Sequence, residues 1–310
     1  MIAEKGIGPK EFETALGLGP DELDERTQSL LREANLRYRP IDATGQTKLQ
    51  AEIAEQIENG FTVVGEHRAA VWRDAWQEQL ERFEQSNYDL KALNPKFVAH
   101  SPVLRWQGEY VEGLTSQFEL VFLEILRDWV FRKFLSDVGH LYEFGSGSAF
   151  NLAAYAKLFP DVPMTALDWA PAAVRIAQLL QQRLGMKVSG HRFDFFAPGS
   201  DMALAPGSGV LTMCALEQTG NRFGPFIDYV LGQRPRRVVH VEPTLELYEP
   251  ASRHDQLAIE YHRRRKYLDG LLTALGELQR GGRLRLIFSR RLRFGSRFHE
   301  CFSVHAWEPL

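Results

Sequence analysis

The second half of the chain alternates two patterns of hydrophobic residues. Short apolar runs with the length of β-strands occur at 140–144, 164–168, 187–193, 209–215, 237–241, 283–288 and 300–307. Segments with apolar residues three and four positions apart lie among them, at 151–158, 171–184, 223–231 and about 255–279. This alternation predicts an α/β fold in which a mostly parallel sheet is covered by helices on both faces. A short turn at Gly295 separates the last two runs, which predicts an antiparallel hairpin.

The first 137 residues show mainly helical periodicity, within 46–86 and at 114–135. One stripe at helical spacing is typical of a buried helix face, and it consists of Trp72, Trp76, Leu80 and Phe83. The segment 87–112 contains prolines and glycines and is interpreted as a loop. We therefore predict two parts, a helical N-terminal cap at 1–137 and an α/β domain at 138–310.

Composition narrows the class of protein. The chain is 44% hydrophobic and 25% charged with a net charge of −3, which is typical of a globular protein and unlike a nucleic-acid-binding domain. Acidic residues prevail in 1–100 and basic residues in 231–310. The two cysteines, Cys214 and Cys301, form no disulfide framework, and no apolar run is long enough to span a membrane. We expect a soluble cytoplasmic protein without a nucleic-acid or membrane partner. A homodimer is compatible with this composition.

A glycine turn follows the first strand of the α/β part. An apolar run ends at Glu143, Gly145 and Gly147 follow one residue apart, and a helical pattern begins near Asn151. Glycines at such a turn let the backbone approach a nucleotide, and the amides at the helix N-terminus face it. Phe150 stands where the dinucleotide fingerprint has its third glycine. The turn by itself indicates a nucleotide-bearing cofactor without identifying it.

The next three strands also end in suitable groups. Asp168 lies 21 residues after Gly147, where a carboxylate accepts hydrogen bonds from ribose hydroxyls. Asp194 and Phe195 follow the third strand, and an acid beside an aromatic ring can take an adenine amino group and stack its ring. The fourth strand ends in the segment 214–218. Because parallel strands have their carboxyl ends at the same edge, these groups should meet there.

Together these residues resemble the class I S-adenosylmethionine-dependent methyltransferases over about 138–310. The segment from Glu143 to Gly147 is similar to the first motif of that family, and Ser148 replaces its common third glycine. The resemblance implies a Rossmann-like sheet of seven strands whose last strand is antiparallel, with S-adenosylmethionine as the cofactor. It also implies that the cofactor contacts Glu143, Phe144, Gly145, Ser146, Gly147, Asn151, Asp168, Trp169, Asp194, Phe195, Cys214 and Ala215.

Methyl transfer is a displacement at carbon, so the protein positions the acceptor and often supplies a base. Glu217, Glu242 and His262 are the candidate bases, although His262 also fits a structural role. Four residues are candidates for the acceptor wall, namely Arg105, Tyr110, Gln218 and Tyr248. We expect no metal. No Cys/His cluster has the spacing of zinc ligands. Glu217 and Glu242 could converge on a metal ion, but no sequence motif indicates such a site.

We therefore expect methyl transfer to an oxygen or nitrogen atom of a small molecule, either a secondary metabolite or a sugar-like compound. An NAD(P)-dependent oxidoreductase shares the glycine turn and Asp168, but it lacks the Asp194–Phe195 pair and the terminal hairpin. A non-catalytic module that binds S-adenosylmethionine or a protein partner is the second alternative.

Overall fold

The computed structural model describes residues 2–19, 22–65, 69–96, 102–199 and 202–310. Its N-terminal elements are β1 (Lys5–Gly6), α1 (Pro9–Leu16), α2 (Glu25–Glu33), β2 (Arg37–Pro40), α3 (Ala43–Glu58), α4 (Ala69–Gln85), β3 (Val103–Trp106), β4 (Glu109–Gly113) and α5 (Phe118–Phe134). The remaining elements are β5 (Leu141–Phe144), α6 (Phe150–Leu158), β6 (Met164–Asp168), α7 (Pro171–Leu184), β7 (Val188–Arg192), β8 (Gly209–Met213), α8 (Gly224–Gln233), β9 (Arg237–Glu242), α9 (Arg253–Arg265), α10 (Leu271–Arg280), β10 (Leu284–Arg290), β11 (Phe294–Ser296) and β12 (Ser303–Pro309).

A seven-stranded sheet has the order β10-β12-β9-β8-β5-β6-β7. Five neighbouring strands, from β9 to β7, run parallel to one another. All residues of β5, β6 and β8 are buried, as expected for parallel strands covered on both faces. Strand β12 lies between β9 and β10 and is antiparallel to both. The predicted α/β fold with an antiparallel last strand is therefore confirmed.

The predicted hairpin at the end of the chain is wrong in its connection. Strands β10 and β12 do pair, but β11 lies between them in the chain and leaves the sheet to pair with β3. The reason is packing, because the ring of Phe294 stacks on Phe122 of α5 with centroids 3.9 Å apart and also contacts Trp106. The connection therefore links the two halves of the chain.

The predicted long helix at 255–279 is also wrong, since it is divided into α9 and α10. Lys266 ends α9 with a φ of 52°, and Gly270 precedes α10 with a φ of 88°. Both residues adopt the left-handed conformation, which a continuous helix does not contain. The helical spacing of apolar residues continues across this break, so the sequence pattern did not show that the helix is divided.

A second sheet, with the order β1-β2-β4-β3-β11, occupies the N-terminal part and is entirely antiparallel. The interpretation of 87–112 as loop is therefore wrong at β3 and β4. These strands form a hairpin with a two-residue turn at Gln107 and Gly108, whose φ values are 51° and 88°. Such turns usually carry Asn-Gly or Asp-Gly, so Gln-Gly gave a weak signal.

Helix α5 packs against both sheets. One continuous core cluster contains Phe122 and Trp129 of α5, Leu104 of β3 and Val239 of β9. Helix α4 is anchored by its C-terminal half, where Leu80 and Phe83 are buried. Its N-terminal half carries two tryptophans that lie over the parallel sheet's carboxyl edge. Within the described ranges, no helix has the length and apolarity needed to cross a bilayer.

Candidate functional site

A cavity of about 490 Å³ lies at the carboxyl ends of β5, β6, β7 and β8. This is the edge at which parallel α/β sheets bind their ligands. The cavity brings together eight residues from the sequence prediction, namely Gly145, Asp168, Trp169, Asp194, Phe195, Cys214, Ala215 and Gln218. The four strand ends that the sequence singled out therefore contribute to one site.

The turn after β5 depends on its glycines. Gly145 has a φ of 72°, and a Cβ there would collide with the Cβ of Ala215 and lie 3.3 Å from the ring of Phe195. The amides of Gly145 and Ser146 both donate to the carbonyl of Leu167 at the end of β6. The absence of a side chain at Gly145 thus lets two strand ends meet along the cavity floor.

Asp168 fastens this turn from the next strand. Its Oδ2 accepts from the amide of Gly147 at 2.9 Å, and its Oδ1 accepts from the amide of Ala170 at 2.9 Å. Burial raises the pKa of Asp168 to about 6, although these amide hydrogen bonds oppose the shift. Each carboxylate oxygen can accept a second hydrogen bond. Asp168 can therefore hold the turn and still accept hydroxyl groups from a ligand.

A buried polar network lies behind the turn. Asn151 donates to Oε1 of Glu143 at 2.7 Å and accepts from Nη1 of Arg127 at 3.1 Å. Burial raises the pKa of Glu143 to about 8 and lowers that of Arg127 to about 10. Arg127 comes from α5 and was not predicted, because nothing in its local sequence distinguishes it from other helical arginines.

Three oxygens beside the turn are buried without a hydrogen-bond partner among the described residues. They are Glu143 Oε2, Ser146 Oγ and Ser148 Oγ. Unpaired buried polar groups are costly, so such a cluster marks a place where a ligand can supply the missing partners. Phe144, also predicted at this turn, is instead a buried core residue that packs on Phe193.

Glu242, a candidate base, holds the loop after β8. Its Oε1 accepts from the amides of Ala215 and Leu216, each at 3.1 Å, and its Oε2 accepts from the amide of Glu217 at 3.3 Å. Burial raises its pKa to about 7. Glu242 does not line the cavity, whereas Gln218 does and donates from Nε2 to Glu217 at 2.8 Å.

His262 lies away from the cavity in a buried cluster. Its Nε2 is 3.2 Å from Nδ1 of His299, and Nε2 of His299 is 3.5 Å from the sulfur of Cys301. Burial lowers the pKa of His262 to about 3, so its ring is neutral at physiological pH. The imidazole is therefore packed between aromatic and polar side chains and does not face the cavity.

Arg105, a candidate for the acceptor wall, belongs to a buried ion-pair cluster. It is fully buried and donates to Asp255 at 3.1 Å and to the hydroxyl of Tyr110 at 3.2 Å. Arg291 donates to the carboxylates of both Asp255 and Glu300. The cluster joins β3, α9 and the β10–β12 connection, and none of these residues lines the cavity.

Tyr248 completes the same cluster. Its hydroxyl accepts from the amide of Glu300 at 2.8 Å, and the guanidinium of Arg291 lies 4.4 Å from its ring centre. Three of the four residues predicted for the acceptor wall therefore lie in the ion-pair cluster, and Gln218 is the one in the cavity. His100, which shares the predicted loop, lies outside the described residues.

The opposite wall of the cavity comes from α4. Trp72 and Trp76 line it, and their rings stack with centroids 5.9 Å apart at an angle of 23°. The prediction of a buried helix face holds for Leu80 and Phe83, whereas the two tryptophans are only partly buried. The sequence feature that could have indicated a cavity wall was a pair of tryptophans four residues apart on an otherwise highly charged helix.

Comparisons with known proteins concern the fold. No family model and no curated protein matches the sequence. The [4+2]-cyclase SpnF matches with a TM-score of 0.50 and 12% identity, over 81% of this chain and 98% of that one. The O-methyltransferase NcsB1 from neocarzinostatin biosynthesis, in complex with S-adenosylmethionine, matches with a TM-score of 0.41 and 16% identity, over 62% of this chain and 58% of that one. A SAM-dependent methyltransferase from Aquifex aeolicus matches with a TM-score of 0.42 and 14% identity, over 59% of this chain and 89% of that one.

The chain thus spans 58% of the length of NcsB1. At 12% identity the match to SpnF shows the fold alone. That fold is the one predicted from the sequence, a Rossmann-like sheet of seven strands with an antiparallel last strand.

Proposed function

We propose that this protein transfers a methyl group from S-adenosylmethionine to an oxygen or nitrogen atom of a small molecule. The observation that carries the proposal is the order of groups along one cavity. The glycine turn, Asp168, Asp194 with Phe195, and Cys214 follow one another at four strand ends. A ribose acceptor between an unhindered backbone turn and an aromatic adenine platform is the arrangement that an adenosyl group requires.

The residues fit this cofactor. Asp168 would accept the ribose hydroxyls, while Trp169 and Phe195 offer flat surfaces for adenine and Asp194 offers an exposed carboxylate. The unpaired oxygens of Glu143 and Ser146 suit the amino-acid end of the cofactor, which carries an ammonium and a carboxylate. When bound, S-adenosylmethionine supplies the electrophilic methyl group on a sulfonium.

The chain itself has to orient the acceptor, exclude water and accept a proton where the nucleophile carries one. Among the candidate bases, Glu217 fits this role better than Glu242, whose two oxygens already accept from three backbone amides. His262 is neutral and could accept a proton, but it lies away from the cavity in a buried cluster. Glu217 does not line the cavity either, but its carboxylate accepts from Gln218, which does. We therefore propose Glu217 as the base.

The N-terminal region belongs to the same proposal. Trp72 and Trp76 place a hydrophobic wall over the glycine turn, so we propose that the segment 1–137 covers the reacting groups and selects the acceptor. Two free cysteines, one of them in the cavity, are compatible with the cytoplasmic location that we propose.

Calorimetric titration of the purified protein with S-adenosylhomocysteine and, separately, with NADH tests the proposal. We expect one S-adenosylhomocysteine per chain and no NADH binding. Tight binding of NADH alone would support the oxidoreductase instead. Binding of S-adenosylhomocysteine without methyl transfer to any member of a broad acceptor panel would identify a non-catalytic module.

A further inference from the structure

The proposed cofactor site occupies one side of the cavity and leaves a second side for the acceptor. The adenosine side contains Asp168, Trp169, Asp194 and Phe195, at the ends of β6 and β7. The other side is formed by α4, the residue Gly65 and the loop after β8, and its lining residues are Gly65, Trp72, Trp76, Cys214, Gln218 and Thr219. The acceptor has to bind on this second side.

The segment before α4 is fixed beside the loop after β8. The amide of Val64 donates to the carbonyl of Arg265 at 2.8 Å. The next carbonyl, that of Lys266, would be 3.0 Å from a Cβ built on Gly220. Gly220 directly follows the short 3-10 helix Leu216–Thr219, which carries Gln218. Gly65 is therefore held at the β8 side of the cavity.

Helix α4 starts four residues after Gly65 and runs from there across the sheet edge. Trp76 lies over Gly147 at the end of β5, and the helix then packs against α7, which follows β6. Trp72 precedes Trp76 by one turn, so it lies nearer to β8 and the loop that follows it. The ring of Trp72 is thus the aromatic wall of the acceptor side.

Among the residues that the structure describes, none that lines the acceptor side carries a charge. The described charged residues of the cavity lining are Asp168, Arg192 and Asp194, all from the ends of β6 and β7. A charged acceptor would lose its hydration there without gaining an ionic partner from these lining residues. The carboxylate of Glu217 is next to them, but it does not line the cavity and already accepts from Gln218. A sugar would leave most of its hydroxyls unpaired, because the hydroxyl of Thr219 already donates to the carbonyl of Leu216 at 2.7 Å.

One polar group on this side lacks a partner. The carboxylate of Glu217 can only accept, so the amide of Gln218 must turn its nitrogen toward it, as the 2.8 Å contact shows. The other end of that amide, Oε1, accepts no hydrogen bond from the described residues. Because Gln218 lines the cavity, an acceptor that carries an O–H or N–H group can supply the missing hydrogen bond.

We propose that the acceptor is an uncharged, flat aromatic molecule with one hydroxyl or N–H group. Its ring would pack against Trp72 and its polar group would donate to Gln218. This inference rests on the proposed function and narrows the acceptor to phenol-like compounds or their neutral nitrogen counterparts. Flat rings gain most from such a wall, because aromatic pairs attract one another beyond the area they bury.

The test uses 2-naphthol as the probe and the full-length protein saturated with S-adenosylhomocysteine. Calorimetry should detect binding of 2-naphthol, and Trp72→Ala should weaken it by about tenfold or more, equivalent to ~1.4 kcal/mol. Trp72→Phe should restore most of the affinity. Val71→Ala, at the neighbouring exposed position, should leave it unchanged. The affinity for S-adenosylhomocysteine should change by less than about threefold in Trp72→Ala, which also shows that the variant is folded.

Other results would overturn the inference. Tighter binding of glucose, of benzoate or of the cation tyramine than of 2-naphthol would assign the site to another class of acceptor. Equal affinities of the wild type and Trp72→Ala for 2-naphthol would remove Trp72 from the acceptor wall. If S-adenosylhomocysteine fails to bind, the proposed function fails first. The same 2-naphthol titrations of the wild type and Trp72→Ala, carried out without S-adenosylhomocysteine, then decide whether Trp72 forms an aromatic binding site.

Discussion

The indole of Trp76 lies directly on Gly147: a Cβ built on this glycine would be 2.5 Å from Cζ2 of the ring. A helix from the first third of the chain is thereby packed onto the turn proposed to hold the cofactor. Gly147 itself is absent from the cavity lining, because the ring covers it. The glycine therefore serves two needs, a backbone φ of 50° and the close approach of α4.

Replacement of Gly147 by alanine should separate these two needs. The left-handed conformation costs an alanine about 1–2 kcal/mol, and the displaced indole adds a packing loss. Gly185→Ala is the matched control, since Gly185 has a φ of 65° but no atom within 4 Å of its Cβ position. Urea unfolding should show a larger loss for Gly147→Ala, accompanied by a change in tryptophan fluorescence. Equal losses in the two variants would mean that α4 does not pack on the turn.

Asp168→Ala should weaken binding of S-adenosylhomocysteine by ~1–3 kcal/mol, the scale of hydrogen bonds to a charged acceptor. The control is Asp161→Ala, which removes an almost fully exposed carboxylate that pairs with Lys187 at the surface. Calorimetry of both variants gives the comparison. An unchanged affinity in Asp168→Ala would show that this carboxylate only fastens the amides of Gly147 and Ala170.

Glu143 should make the protein less stable as the pH rises. Its pKa is about 8 in the folded chain against an ordinary value of 4.5. A raised acid pKa contributes stability that is complete below about 4.5 and is lost as the pH increases to about 8. The free energy of unfolding of the wild type should therefore fall relative to Glu143→Gln across this window, by at most ~1.4 kcal/mol per pH unit.

Urea unfolding of the wild type and Glu143→Gln at pH 5, 6.5 and 8 measures this difference. Arg127 and Asp168 face the same carboxylate in both proteins, so their effects largely cancel. Glu25→Gln, at an exposed position of α2, should run parallel to the wild type. A constant difference between Glu143→Gln and the wild type would show that Glu143 is not the titrating group.

The sequence allowed the cofactor side of the site to be predicted because its residues lie at fixed places in a repeating unit. Gly145, Asp168, Phe195 and Ala215 each lie at the end of a recognisable strand or just after it, and parallel strands end at one edge. The spacing of these residues along the chain therefore predicts that they meet in the fold. The predicted long helix at 255–279 and the terminal hairpin lie outside this repeating unit, so the sequence did not determine how they are connected.

The residues that lie elsewhere than the sequence suggested depend on contacts between distant parts of the chain. Arg105 and Asp255 are 150 positions apart, and nothing local distinguishes an arginine of a buried cluster from one at a binding site. Trp72 and Trp76 follow the same periodicity as the buried Leu80 and Phe83. Only the position of α4 over the sheet edge turns the two tryptophans toward a cavity.

Arg105→Met should destabilise the protein by ~3–5 kcal/mol, because it leaves buried carboxylate charge without one of its partners. Affinity for S-adenosylhomocysteine in the folded fraction should stay within about twofold, since Arg105 does not line the cavity. Arg253→Met removes an exposed partner of Glu260 and should cost less than ~1 kcal/mol. Unfolding curves and calorimetry provide both readouts. A stable Arg105→Met variant with lost acceptor binding would instead favour the original assignment of Arg105 to the acceptor wall.

Glu217→Gln and Glu242→Gln should differ in turnover and stability, although both should spare cofactor affinity. Loss of a general base lowers the rate by ~10²–10⁴-fold, so we expect this effect for Glu217→Gln. Glu242→Gln should mainly lower stability, by ~1–3 kcal/mol, because an amide nitrogen cannot accept from the backbone N–H of Glu217. Turnover is measured as release of S-adenosylhomocysteine with the best acceptor from a panel of phenols and amines, and stability by urea unfolding. If both variants keep full turnover, neither Glu217 nor Glu242 is the base. The acceptor would then have to react without giving a proton to either carboxylate.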